Sequence, residues 1–344
     1  MPGLIEDLAF KTISVKELHP TFAAEIEGVN FDAVSQEQFA EILAAMTKYG
    51  VCVFKDTGLT DAAHISFSRR FGNLDNIKRY MVGDRKMRYD SYELFDAGNV
   101  TEAGTPQDPN SARAHSNRGN ALFHVDSSFN PRRASYSLLR AVSLPPPGNG
   151  GDTMFADSRT AAEELPEEVM ARLTGEQTLA GVHSMAHSRK LASPEFFRDM
   201  DVTKWPMARH RILQRHEPSE RANLYVGAHL HHIEDLGNET ESCAAGAQER
   251  TGNAIHNSSD LIRKLNAHVA QDRYVISIPW HNPGDLIIWD NRCVLHRAGP
   301  GTFEGKYLRD LRRTTVHDDS PTAWGFNTVG SEYEAFTSPL KSGT

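Results

Sequence analysis

Gly284-Asp285-Leu286-Ile287-Ile288-Trp289-Asp290-Asn291-Arg292-Cys293-Val294-Leu295-His296-Arg297 reads as two buried strands, Asp285–Trp289 and Cys293–His296, joined by a tight Asp290-Asn291 turn. Similar short apolar runs occur nearby at Tyr274–Ile278 and Leu311–His317, and far upstream at Gly50–Lys55 and Ser135–Val142. Helical periodicity fills much of the rest. Ser35-Gln36-Glu37-Gln38 opens a helix to about Lys48 that turns Phe39, Ile42, Leu43 and Met46 to one face, and a second helix runs from a Thr60 cap to about Phe71. Further helices are predicted at Ser158–Leu173 and Ser258–Ala270, whereas residues 95–122, rich in Gly, Pro, Asn, Ser and Thr, read as a long loop of the kind used as a lid. Strands on both sides of a helical insertion predict an α+β chain with a mainly β core, a sandwich or jelly roll with flanking helices. The expected organisation is a tail at 1–11, a single domain over 12–318 with the insertion at about 158–273, and a tail at 319–344.

Composition narrows the function. The 344 residues carry 37 Lys plus Arg against 45 Asp plus Glu, a formal charge of −8, which disfavours a nucleic-acid scaffold because phosphate binding requires a basic face. No apolar run approaches the ~20 residues of a membrane span, and Met1–Asp7 lacks the basic-then-apolar start of a secretory signal. Cys52, Cys243 and Cys293 are odd in number and widely spaced, which fits neither a disulfide framework nor a Cys-based zinc site. The expectation is a cytoplasmic protein without nucleic-acid or membrane partners, compatible with a homo-oligomer. The 16 His residues are the surplus to follow.

Asn120-Ala121-Leu122-Phe123-His124-Val125-Asp126-Ser127-Ser128-Phe129 holds one His and one carboxylate two residues apart, which on a strand project from the same face and can grip one cation. The spacing alone is weak, since His317-Asp318-Asp319 repeats it and His232-Ile233-Glu234 is a variant. A facial triad of two His and one carboxylate, the usual non-haem Fe(II) arrangement, needs a second His from elsewhere. No His follows His317, but His296 follows His124 far downstream at the end of the strand pair quoted above. Ligands this far apart require one fold to unite them. Shortly after His296, Arg309 and Arg313 would share one strand face about 13 Å apart, so two guanidinium forks can hold two anions around one metal. His183 and His187 sit four apart and could share a helix face, yet no nearby carboxylate or Cys completes a set; they read as structural. His229, His231 and His232 read as structural or close to substrate, and are not assigned to iron.

Together these blocks resemble the taurine and 2,4-dichlorophenoxyacetate dioxygenase family of Fe(II)- and 2-oxoglutarate-dependent oxygenases. The resemblance covers about 12–318. It starts at Leu18-His19-Pro20, Glu25-Ile26-Glu27-Gly28-Val29, Tyr49–Phe54 and Phe67-Ser68-Arg69-Arg70-Phe71-Gly72. Its centre is Gly119-Asn120-x-x-x-His124-x-Asp126, then Gly150-Gly151-Asp152-Thr153-x-Phe155-x-Asp157; it ends in Gly284–Arg297 and Arg309-x-x-x-Arg313. Membership implies a double-stranded β-helix, cupin-like core with iron on His124, Asp126 and His296, which are also the catalytic set. It further implies 2-oxoglutarate on Thr153 and Arg309, the substrate's acidic group on Arg313, and Asn120 and Trp289 lining the site. Gly299–Gly305 is longer than usual in the family, which brings in Arg312 as an alternative anchor; the four-residue spacing to Arg313 favours Arg309.

The resemblance implies oxidative decarboxylation of 2-oxoglutarate by O2, releasing succinate and CO2, coupled to oxidation of an unactivated C–H bond of a small acidic substrate such as an aryloxyalkanoate, a sulfonate or an amino acid. Asp126 occupies the position that related halogenases leave to halide, so hydroxylation is expected over halogenation. An oxidative cyclase, desaturase or decarboxylase acting on a biosynthetic amino acid would share this chemistry. Two other classes fit the same residues: a non-catalytic metal-binding jelly roll, and a zinc hydrolase independent of 2-oxoglutarate and oxygen. Residues 76–118 and 180–235 are expected to build the substrate pocket.

Overall fold

The computed structural model describes residues 10–81, 87–237 and 250–332. The expected tails are covered only at 10–11 and 319–332, and Cys243 lies outside the described residues. Seven strands form the larger sheet, in the order Ser14–Glu17, Ala24–Glu27, Val51–Phe54, Leu286–Asp290, Ala134–Ser143, Asp310–His317 and Phe95–Asp96. Leu286–Asp290 lies between Val51–Phe54 and Ala134–Ser143, antiparallel to both, so early and late parts of the chain share one sheet. Alternation along this strand explains the layers. Ile287 and Trp289 turn inward with Leu139 and Leu311 against Phe155, Ile278 and Val294 of a three-stranded sheet, Val275–Ile278, Thr153–Asp157 and Val294–Ala298. Leu286 and Ile288 turn the other way, beneath Phe39, Ile42 and Met46. Each fully buried aliphatic or aromatic side chain contributes about 1.5–3 kcal/mol to holding these layers together.

The helix that supplies that cover, Gln36–Tyr49, is capped by Ser35, whose hydroxyl accepts from the Gln38 N–H, and stops at Gly50 in the left-handed region at φ 70°. A side chain at Gly50 would place its Cβ 2.9 Å from Cys293 Sγ, so both conformation and space demand glycine there. The Thr60-capped helix spans Asp61–Ser68, shorter than expected.

Three expectations are corrected. The helix read over Ser158–Leu173 is two, Ser158–Glu163 and Glu167–Leu173, because Pro166 lacks an N–H and disfavours helical geometry in the residue before it. The insertion is not mainly helical: with Met185–Ala192 and Ser258–Val269 it carries a four-stranded sheet, Asn253–Ala254, Leu230–Asp235, Leu179–His183 and Ala208–Arg211, and the pair Leu213–Arg215 with Ala222–Leu224. Several of these strands bury His and other polar groups, so apolar alternation does not reveal them. Residues 95–122 also hold the Phe95–Asp96 strand, a Ser111-capped helix Ala112–Asn117 and a 3-10 turn Arg118–Ala121. Gly119 in that turn lies against Ser188 of the Met185–Ala192 helix, and His115 Nδ1 lies 3.2 Å from Ser193 Oγ, so the two segments expected to shape the pocket meet just before His124. Among the described residues, no helix is long and apolar enough to cross a membrane.

Candidate metal centre

His124, Asp126 and His296 come together, each buried, with one ligand atom apiece all within 4.8 Å of one another. His296 sits on Val294–Ala298. His124 is not on a regular strand, as its spacing predicts, but forms a single bridge to His296; each N–H donates to the other's carbonyl, at 3.0 and 2.9 Å. Asp126 opens the turn that follows, with Ser127 at φ 55°. The two Nε2 atoms converge on the carboxylate, His124 at 3.9 Å from Oδ1 and His296 at 3.6 Å from Oδ2.

Surrounding groups set the chemistry of this cluster. His124 Nδ1 lies 2.8 Å from the Leu122 carbonyl, which makes Nδ1 the protonated nitrogen and leaves the Nε2 lone pair facing Asp126. The Ser137 hydroxyl donates to Asp126 Oδ2 at 2.8 Å, and Arg313 Nη1 lies 2.7 Å from Oδ1. Asn291 Oδ1 accepts from the Asp126 N–H and the Trp289 indole, while its amide donates to Ser137 Oγ. Burial pushes the Asp126 carboxyl up, but Arg313, His296, His124 and the Ser137 hydroxyl outweigh it and bring it down to about 2. Burial lowers both imidazoles, that of His296 strongly, against the opposing pull of Asp126. One carboxylate and two neutral imidazoles are the donors a divalent first-row metal takes, so the residues fit such an ion.

Arg309 is buried beyond this cluster. Its Nε and Nη2 donate to the Gly151 carbonyl at 3.0 and 2.8 Å, and among the described residues no carboxylate oxygen lies within 4 Å of its guanidinium. Burial lowers it to about 10, with Asp152 opposing. A buried cation without a paired anion is costly unless a ligand supplies one. Thr153, two residues beyond Gly151, is buried and accepts from the Trp280 indole at 3.1 Å. Arg312 points the other way, paired with Asp61 and with Asp310 at 3.1 Å, which leaves Arg309 as the free cation of the two. Arg313 keeps its Nε buried without a protein partner and lies over the Phe95 ring. Asn120 is exposed on the 3-10 turn. Trp289, expected to line the site, has no exposed surface; its ring centroid lies 4.5 Å from that of His296 and 5.6 Å from that of Phe155, so it braces His296 and presents nothing to a substrate in this conformation.

The remaining His residues separate by surroundings. His183 ends a strand and His187 lies on the next helix, so they do not share a helix face. His229 packs 5.3 Å from the His124 ring with Nδ1 near Ser128 Oγ and the Val125 carbonyl. In the His317-Asp318 pair, His317 faces Asp75 while Asp318 holds Arg133 and Arg292. A second gathering, His216, Asp290 and Cys293, is also buried. There Arg292 takes Asp290 through two nitrogens and burial raises the Cys293 thiol to about 12, so neither offers a free ligand. Ser137 and Asn291, which hold Asp126, escape a reading by sequence because only the pairing of Ala134–Ser143 with Leu286–Asp290, and the turn that follows it, brings them beside Asp126.

Two His and one carboxylate buried beside facing sheets, with an unpaired arginine beyond, define a metal-dependent enzyme that takes an anionic cosubstrate. The chain belongs to the taurine catabolism dioxygenase TauD, TfdA family, whose sequence profile matches residues 14–315, and is a 2-oxoglutarate-dependent dioxygenase. It is 33% identical over 312 residues to the alpha-ketoglutarate-dependent 2,4-dichlorophenoxyacetate dioxygenase of Cupriavidus pinatubonensis, covering 90% of this chain and 99% of that one. Over 315 residues it is 27% identical to the (S)-phenoxypropionate/alpha-ketoglutarate-dioxygenase of Sphingobium herbicidovorans, covering 90% and 97%. The crystal structure of AAD-2 in complex with Mn(II) and N-oxalylglycine superposes with a TM-score of 0.76 at 30% identity, covering 91% of this chain and all of that one.

Proposed function

We propose that this enzyme uses Fe(II), 2-oxoglutarate and O2 to oxidise an unactivated C–H bond of a small carboxylate- or sulfonate-bearing substrate, with an aryloxyalkanoate as the first candidate. In this reading the two facing sheets are the halves of a double-stranded β-helix, and His124, Asp126 and His296 hold the iron. The observation that carries it is the buried, unpaired Arg309 beside Gly151 and Thr153, together with the three-ligand cluster. His124, Asp126 and His296 would hold the iron, which with 2-oxoglutarate and O2 would supply the oxidising power, the cosubstrate leaving as succinate and CO2. The chain's own residues then bind and orient. Arg309 and the Thr153 hydroxyl fix the distal carboxylate of 2-oxoglutarate, as a charge-assisted fork and a single hydrogen bond. Ser137 and Asn291 keep Asp126 in place, and the Leu122 carbonyl keeps the proton of His124 on Nδ1. Arg313, whose Nε has no protein partner, takes the acidic group of the substrate, with exposed Asn120 at the rim. The relatives named for 2,4-dichlorophenoxyacetate and (S)-phenoxypropionate support an aryloxy acid.

The test is succinate release from 2-oxoglutarate by Fe(II)-loaded enzyme in air, over a panel of aryloxyalkanoates, sulfonates and amino acids. An aryloxy acid should stimulate release well above the substrate-free rate. If His124→Ala, with its fold intact, releases as much succinate as the parent on every compound, the reading fails.

A further inference from the structure

Arg309 and Arg313 face one short strand at the edge of the larger sheet. Arg309 stands just before Asp310–His317, whose ladder to Ala134–Ser143 begins at Asp310. On the other side Phe95 and Asp96 pair with Arg313 and Arg312, and the ladder runs on beyond them. The Ala97 N–H donates to the Leu311 carbonyl at 3.0 Å and the Asn99 N–H to the Arg309 carbonyl at 3.1 Å. In this register Phe95 opposes Arg313 and Asn99 opposes Arg309, and directly opposed residues of an antiparallel pair share a face.

Asn99 does more than pair. Its Oδ1 accepts from the Arg309 N–H at 2.8 Å and its side-chain amide donates to the Tyr307 carbonyl at 2.9 Å. Both backbone polar groups of Arg309 are therefore bonded to Asn99, one through its main chain and one through its side chain. Next to it Gly98 comes so close that an added Cβ would run into the Arg309 carbonyl oxygen. At the other end of the edge the Phe95 ring carries the Arg313 guanidinium, its carbon 4.6 Å from the ring centroid, a cation–π contact. Asp96 and Asp310 follow Phe95 and Arg309 and so turn to the reverse face. There Arg88 bridges them at 2.9 and 2.8 Å, while Arg113 holds Asp96 and the Val100 carbonyl at 2.8 Å each. An edge strand tied down on both faces is suited to fixing what it pairs with, and a misplacement of ~1 Å in a positioning group can cost about 100-fold in rate.

We propose that Asn99 and Phe95 are the positioning residues of the two anion sites, Asn99 setting Arg309 for 2-oxoglutarate and Phe95 setting Arg313 for the acidic group of the substrate. Each acts through its arginine. The inference rests on the reading above that these arginines hold those anions. An edge that merely completed the sheet would give a different result, since losing either side chain would then weaken the fold and both ligands alike.

The experiment titrates 2-oxoglutarate, and then the most active acid of the panel, into the Fe(II)-loaded full chain under anaerobic conditions by calorimetry, so that binding is read without turnover. Asn99→Ala should raise the Kd for 2-oxoglutarate about 3- to 10-fold and leave that for the acid within about twofold. Phe95→Leu should do the reverse, raising the Kd for the acid about 3- to 10-fold, and Phe95→Tyr, which keeps the ring, should restore it. Asn99→Asp keeps the oxygen that accepts from the Arg309 N–H; its Kd for 2-oxoglutarate should lie between those of Asn99→Ala and the parent, and it carries the test if Asn99→Ala is unfolded by circular dichroism. The inference is overturned if folded variants weaken both ligands equally or weaken neither. Arg309→Met and Arg313→Gln, titrated alongside, separate the two levels: if they weaken 2-oxoglutarate and the acid respectively while the Asn99 and Phe95 variants bind as the parent does, the positioning roles alone fall, and if the arginine variants also bind as the parent does, the anion assignments fall and the positioning roles with them.

Discussion

The two arginines expected to hold anions occupy different electrostatic situations. Arg313 is already neutralised by Asp126 at 2.7 Å, whereas Arg309 is buried with a carbonyl as its acceptor and no carboxylate within reach among the described residues. Replacing Arg309 with Met keeps the volume and removes the charge-assisted bonds, each ~1.5–3 kcal/mol. The KM for 2-oxoglutarate should rise by about 10- to 100-fold, while metal affinity changes little; initial rates over a range of 2-oxoglutarate decide this, and an unchanged KM would remove Arg309 as the anchor. Arg313→Gln should raise the KM for an acidic substrate without a comparable rise for its neutral amide analogue. Equal effects on acid and amide would mean that Arg313 serves Asp126 alone. At this scale the residues that meet in the His124, Asp126 and His296 cluster, and the two arginines near it, could be singled out in sequence, because residue type and order carry the chemistry. Their supports were not: Ser137 and Asn291 are ordinary polar residues until strand register sets them beside Asp126.

Among the elements, Val51–Phe54 and Leu286–Asp290 were legible because each buries a run of successive apolar residues, and two of the helices because Ser35 and Thr60 cap them. The strands of the insertion were not, since His183, His210 and Glu234 sit buried within them through contacts that no local pattern announces. The bulge at Leu230/His232 is likewise a property of the pairing of two strands and not of either sequence. Gly227 shows how one element bears on the metal centre. At φ 118° it runs so close to the His124 segment that an added Cβ would lie 2.9 Å from His124 Cα and from the Phe123 carbonyl oxygen. Ala228 donates to that same carbonyl at 2.8 Å, so the two segments cannot part without losing a backbone bond. Gly227→Ala should therefore destabilise the chain by about 1–3 kcal/mol through overpacking and strain and weaken metal binding at the His124 centre. Thermal unfolding with and without Fe(II) or Mn(II) checks both effects; a variant with wild-type stability and wild-type metal-induced stabilisation would show that the segment gives way freely.

For the whole molecule, the surplus of His becomes a statement about acid stability. His64 is buried with Nε2 beside the Leu138 carbonyl, and His210 is buried with Nε2 beside the Asn130 carbonyl. Burial, reinforced by Arg140, brings His64 down to about 3, and burial alone is the main cause that brings His210 down to about 4. In the unfolded chain both take a proton near 6.5. The stability they contribute is complete above about 6.5 and is lost as pH falls toward 4 and then 3, since only the unfolded chain is protonated across that window. Each imidazole adds about one proton taken up on unfolding near pH 5, and each such proton costs about 1.4 kcal/mol of stability per pH unit. Set against a total of about 5–15 kcal/mol, two such groups make the fold acid-sensitive well above the range in which carboxylates titrate. Denaturant unfolding from pH 4.5 to 7.5 should give a stability that falls steadily below pH 6.5. His64→Gln, which keeps a polar group near the Leu138 carbonyl and cannot titrate, should reduce the proton uptake at pH 5 by about one. A pH slope identical to that of the parent would show that His64 is not held neutral by its burial, and that the acid sensitivity comes from other groups.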